Sequence, residues 1–190
     1  MIRRIRRQLR DMFGKRWRFR RGPAGSTSWH DIAFVLDEQI AAEAAAAWSW
    51  LIPEPWKVVL CSKFGGIFLE KATGGVFWLE CGTGLVEQVA DSAEEFHAYL
   101  GSQRVGRPWR PTIEEWFLPE LVRRLHEAGK KPGPGECFAL IFPLTFQEGR
   151  YEVGNICVAP VREWLVGMAD IHHQMLDVPH GAAVQIKVVD

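Results

Sequence analysis

The sequence predicts an α+β domain, with helices packed on a largely antiparallel sheet. Three observations carry this. Short β-type runs separated by glycine-rich turns fill residues 56–89. Two capping boxes and two apolar stripes at helical spacing mark helices on either side of them. The 190 residues are 47% hydrophobic, 24% charged and 12% aromatic, the composition of a globular chain. A domain of this size buries about 70% of the surface of its unfolded chain, so it needs no disulfide or metal staple.

In chain order, Ile2, Ile5, Leu9, Met12 and Phe13 fall at helical spacing with arginines between them, a basic amphipathic helix. Gly22-Pro23-Ala24-Gly25-Ser26 breaks it, so residues 1–25 form an arm and residues 26–190 the folded body. The Ala-rich run Glu38 to Leu51 carries Ile40, Ala44, Ala47, Trp48 and Leu51 on one stripe, and Pro53 and Pro55 end that helix. Strands follow at 56–62, 67–69, 76–79 and 85–89, turned at Gly65-Gly66, Gly74-Gly75 and Gly82-Thr83-Gly84, as an antiparallel meander. Ser92-Ala-Glu-Glu95 and Thr112-Ile-Glu-Glu115 each open a helix; the second carries Trp116, Leu121, Val122 and Leu125, kinks at Pro119 and stops at Gly129. Strands are expected at 136–146 and 151–158. Val161, Trp164, Leu165, Met168, His172 and Met175 then make a helix stripe, and Val184, Ile186 and Val188 an alternating last strand.

Lysine plus arginine and aspartate plus glutamate are both 23, so the formal net charge is zero. That zero hides a split. Residues 1–22 hold ten basic residues and one acid, a charge of +9; the rest of the chain holds 13 basic and 22 acidic residues, a charge of −9. The body repels nucleic acid and membrane surfaces and attracts basic partners, while the arm does the opposite. No run of 18 apolar residues is present, so no membrane span is expected. No apolar h-region precedes a cleavage site, so secretion is not expected; Asp11 and the lack of serine before Ser26 argue against a mitochondrial presequence. Cys61, Cys81, Cys137 and Cys157 form no Cys-x-x-Cys pair, and three of them sit in apolar strand-like contexts. Free buried thiols fit a cytoplasmic protein.

Catalysis needs a nucleophile, a base or a metal in a workable grouping. Asp170-Ile-His172-His173 is the nearest approach. On a helix, Asp170 and His173 share a face while His172 points about 100° away, so an Asp170–His173 hydrogen bond beside a half-buried His172 is the expected arrangement. One such pair is too few ligands for a metal site without a distant residue. His180 reads as a turn residue and Cys137 as a core thiol. There is no nucleophile elbow, Walker loop or dinucleotide fingerprint, so no cofactor is expected. Among nine tryptophans, Trp48 and Trp50 are expected on different faces of one helix, with at most one fully buried. Arg16, Trp17, Arg18, Phe19 and Arg20 together are what a nucleic-acid-binding arm looks like, and equally what a tail docking on its own acidic body looks like.

Lys63-Phe64-Gly65-Gly66-Ile67-Phe68, Gly75-Val76-Phe77-Trp78-Leu79 and Val89-Ala90-Asp91-Ser92-Ala93-Glu94-Glu95-Phe96 together resemble the SUKH superfamily of immunity proteins. Pro134-Gly135-Glu136-Cys137-Phe138, Gly149-Arg150-Tyr151-Glu152-Val153-Gly154-Asn155-Ile156, Asp170-Ile171-His172-His173-Gln174 and Asp177-Val178-Pro179-His180-Gly181 resemble the C-terminal domain of type VI secretion immunity proteins against DNase effectors. The family turn is usually Gly-Gly and here is Glu148-Gly149; residues 1–22 have no counterpart. The resemblance covers about two-thirds of the chain. It implies a SUKH-like fold and a non-enzymatic protein that binds a cognate toxin in the producing cell, and it carries over no catalytic residue.

The charge agrees independently. A toxin that acts on nucleic acid needs a basic groove, and carboxylates can occlude it. The acids outside the apolar stripes are the candidate contacts: Glu114, Glu136, Glu148, Glu152, Glu163, Asp170 and Asp177. The expectation is therefore stoichiometric binding of a secreted toxin, a nuclease on the charge argument. Two rivals are an adaptor gripping nucleic acid or membrane through Arg16, Trp17, Arg18 and Arg20, and a metal-dependent enzyme built on Asp170, His173 and a distant ligand.

Overall fold

A computed structural model describes residues 29–102, 113–179 and 181–184. The basic arm, the Thr112 box residue, Trp109 and Ile186 and Val188 of the expected last strand lie outside the described residues. What is described is an α+β fold of a five-stranded antiparallel sheet, a two-stranded sheet and helices.

The chain enters through two short elements that the pattern did not announce, α1 (Trp29–Ile32) and β1 (Ala33–Phe34). Ile32 and Ala33 are buried, and β1 pairs antiparallel with Cys61 and Ser62. Asp37 caps α2 (Glu38–Ala47) by accepting from the Gln39 amide at 2.9 Å. The Ala-rich helix ends at Ala47 rather than Leu51, because Trp48–Trp50 tighten into a 3-10 turn before the prolines. The two rings stack 6.0 Å apart, and of the pair Trp48 alone is fully buried, as expected.

The meander forms as expected: β2 (Trp56–Ser62), β3 (Ile67–Lys71), β4 (Val76–Glu80) and β5 (Leu85–Ala90), in the spatial order β1-β2-β3-β4-β5. Ile67, Phe68 and Leu69 are all buried, so β3 is covered on both faces. Phe68 is the hub of one side, with the rings of Trp78 at 4.4 Å, Phe96 at 4.7 Å, Trp116 at 5.3 Å and Phe117 at 5.5 Å. The β2–β3 turn must be glycine for steric reasons. A Cβ on Gly66 would lie 1.9 Å from the Trp78 ring, and one on Gly65, whose φ is +78°, 2.4 Å from the Trp164 ring.

Ser92 caps α3 (Ala93–Ser102): its hydroxyl accepts from the Glu95 amide at 3.1 Å while the Glu95 carboxylate accepts from the Asp91 amide at 2.7 Å. The expected kink at Pro119 is a full break into α4 (Ile113–Phe117) and α5 (Pro119–Glu127). Proline disfavours helical geometry in the residue before it, and Leu118 adopts a left-handed conformation at φ 46°. Gly129, at φ +80°, follows the end of α5 as expected.

The next strands are shorter than expected. β6 (Glu136–Leu140) stops because Asn155 captures both backbone groups of Phe142 with its side chain. Residues 151–155 are not strand; a 3-10 turn at Val153–Asn155 precedes β7 (Ile156–Pro160). Among the described residues β6 and β7 pair with each other alone, and the Phe138 amide donates to the Lys63 carbonyl at 2.7 Å, tying the hairpin to the end of β2. α6 (Val161–Gln174) buries Val161, Trp164, Leu165, Met168 and His172 of the expected stripe, while its last member, Met175, caps the helix and is half-buried. Trp48 donates its indole N–H to the Leu165 carbonyl at 3.0 Å, locking α6 to the end of α2. Val184, expected to open a strand, is exposed and in none.

Candidate functional site

The turn between β4 and β5 is where three segments meet. His172 Nε2 is 3.0 Å from the Cys81 carbonyl, fixing the last turn of α6 against it. Space beside Gly82 is filled by Leu140 and Leu144, and space beside Gly84 by the His172 ring. Tyr151 donates its hydroxyl to Glu80 Oε1 at 2.8 Å, and the Gly82 amide donates to the same oxygen at 3.1 Å. Burial raises the Glu80 carboxyl above its usual range, against the lowering effect of those two donors. The Tyr151 phenol is pushed well up by burial and by the neighbouring carboxylate.

The 141–152 loop is anchored from within. The Asn155 side chain accepts from the Phe142 amide at 2.9 Å and donates to the carbonyls of Phe142 at 2.9 Å and Arg150 at 3.0 Å. A Cβ on Gly149 would sit 1.9 Å from the Pro143 carbonyl oxygen, so the loop closes tightly on itself there. Chain leaving this hub is solvent-facing and apolar. Leu85 is 57% exposed, Ile141 52%, Phe142 47% and Leu176 61%. Exposed acids follow on the same segments: Glu87 on β5, Glu148 and Glu152 in the loop, and Asp177 beside Leu176; Arg150 is the base among them. Apolar anchors beside carboxylates at one end of the molecule are the composition of a protein-binding surface.

The seven expected contact acids are thus split. Glu148, Glu152 and Asp177 gather at this end. Glu136 and Glu163 lie at the other end of α6, about 20 Å away along a 14-residue helix. Glu136 is half-buried, with its carboxylate accepting from the Gly133 amide at 2.7 Å. Asp170 is exposed on α6. Glu114 lies in α4, and its side chain is outside the described residues, as are Arg16, Trp17, Arg18 and Arg20.

The expected Asp170–His173 pairing is replaced by another. Asp170 Oδ2 accepts from Gln174 at 2.7 Å, while His173 stacks on Trp50 at 5.2 Å and 11°. His172 is buried rather than half-buried, and burial lowers its pKa. Among the described residues, no three His, Cys, Asp or Glu side chains converge as a metal site. Among them too, no helix is long and apolar enough to cross a membrane. The four cysteines are free, with Cys61, Cys81 and Cys137 buried.

The exposed apolar anchors were missed for a definite reason. Ile141 and Phe142 continue the apolar run of β6 and read as core, although Pro143 signalled its end. Leu176 lies off the 3-4-7-11 stripe, and that offset was the available signal. No protein-family model matches the chain, and no curated protein matches it by sequence.

Proposed function

We propose that this chain is an immunity protein, which neutralises a cognate toxin by binding it one to one and catalyses nothing. The observation that carries the reading is the hub end of the molecule. Leu85, Ile141, Phe142 and Leu176 offer apolar anchors, and Glu87, Glu148, Glu152 and Asp177 offer negative charge around them. A nuclease groove presents cations arranged for phosphate. Carboxylates on a rigid support meet those cations, speed encounter and compete with substrate, while the apolar groups supply the desolvated centre of the contact. The support is stiff, because Asn155, the Tyr151–Glu80 contact and the His172–Cys81 contact hold the three segments together.

The body charge of −9 and the ordered likeness to SUKH and type VI immunity proteins point the same way. The proposed toxin is a secreted nuclease effector, met in the cytoplasm of the cell that makes both proteins. Co-expression with the toxin encoded next to this chain tests the reading. Survival of the cells, and a one-to-one complex on purification, is the expected result; undiminished killing rejects it.

A further inference from the structure

The hub end and the arm are chemically matched, and the match suggests regulation. The arm has two features. It carries an apolar set, Ile2, Ile5, Leu9, Met12 and Phe13, at helical spacing, and a net charge of +9. The hub end carries the complements of both: exposed Leu85, Ile141, Phe142 and Leu176, and exposed Glu87, Glu148, Glu152 and Asp177. A basic amphipathic segment presents the same surface chemistry as the rim of a nucleic-acid-cleaving groove.

We propose that residues 1–22 dock on the hub end of their own chain, covering it until a cognate toxin displaces them. The regulatory part of this rests on the immunity reading; the docking itself does not. Reach permits it. Residues 23–28 can span up to about 20 Å, and the register sets Phe34, Cys61, Ile67, Leu79 and Val86 in one row, so β1 and the β4–β5 turn lie at the same end of the sheet, about 19 Å apart across four strand spacings. Tethering supplies an effective concentration of order 1 mM, so a contact of only ~0.1 mM intrinsic affinity is about 90% closed. The docked arm hides an apolar patch that would otherwise favour self-association. It also lowers the apparent affinity of every competitor about tenfold, so weak basic bystanders are disfavoured while a tight toxin still displaces the arm. The acidic body disfavours the alternative destinations, since nucleic acid or an anionic membrane would have to approach a surface of like charge.

The test compares the full chain with a chain starting at Ser26; among the described residues, the buried apolar core lies within 32–169. Amide hydrogen exchange is followed over 141–152 and 175–178. Docking predicts about tenfold slower exchange there in the full chain, lost in 0.5 M salt and in the truncated chain, with the β3 amides unchanged in both. Zero-length carbodiimide coupling adds a site-specific reading, because Lys15 is the one lysine of the arm. Links from Lys15 to Glu148, Glu152 or Asp177 are expected, and their loss in Glu148→Gln/Glu152→Gln/Asp177→Asn. Identical exchange in the two chains, or Lys15 links spread evenly over the body's acids, overturns the proposal. So does tight binding of the full chain to duplex DNA or to phosphatidylserine vesicles with exchange at 141–152 unaltered. The two readings fail separately. Altered exchange without protection from a toxin leaves docking standing; protection with an unaltered exchange pattern leaves immunity standing.

Discussion

Gly66 shows how a single atom fixes a turn. Its missing Cβ is the space that the Trp78 ring occupies, with 1.9 Å available where about twice that is needed. Gly66→Ala must therefore move Trp78 off Phe68. A loss of about 2 kcal/mol is expected, measured as a lower urea midpoint. His172 shows how one proton couples to the fold. Its ring is 7% exposed, and burial lowers its pKa from an unfolded value of 6.5. Between the lowered folded value and 6.5 the unfolded chain binds the extra proton. Stability from this group is thus fully present above pH 6.5 and falls as the pH drops below it. Unfolding curves at pH 7.5 and 5.5 should show a shallower loss for His172→Gln than for the parent; equal slopes would exclude His172 as the cause. Composition cannot reveal either effect. Gly65-Gly66 was legible as a hairpin, but not as a seat for Trp78 and Trp164, because those rings arrive from β4 and α6.

At the scale of elements, local signals served well wherever they were self-contained. The Ser92 box and the β2–β5 glycine turns report themselves, because capping and turn geometry involve only near neighbours. The end of β6 did not. Pro143 bounds the apolar run only after Ile141-Phe142; what stops the strand before them is Asn155, 13 residues beyond Phe142, which takes the backbone groups that a longer strand would have paired. The same long-range capture makes the candidate surface, so the site was less legible than the fold. Glu148, Glu152 and Asp177 could be named from their polarity, but not their grouping, which depends on where Cys81 and His172 meet. Asn155→Ala strips three hydrogen bonds and leaves the Phe142 amide and carbonyl to find water. A cost of about 2–3 kcal/mol is expected, with faster amide exchange confined mainly to 141–152. Exchange raised equally across β3 would mean that the loop is not a separate unit.

For the whole molecule, the separation of charge along α6 gives a clean comparison. Charge reversal at the hub end, Glu148→Lys/Glu152→Lys/Asp177→Lys, should weaken toxin binding by at least ~100-fold, since setting like charges against each other across an interface costs several kcal/mol. Reversal of Glu163 at the opposite end should leave the dissociation rate within about twofold, and biosensor kinetics at 50 and 300 mM salt read both. Equal losses from the two ends would move the contact surface elsewhere. The thiols carry a different consequence. Burial pushes Cys61 and Cys81 far up and Cys137 up to about 12, so none of the three offers a thiolate near neutrality, while Cys157 is partly accessible. Alkylation of the native protein should thus modify one site, and each further adduct should record an opening of the interior. The chain carries a built-in clock for its own breathing, readable by intact mass without any label, in which the second, third and fourth mass steps time the rare moments when its centre meets solvent.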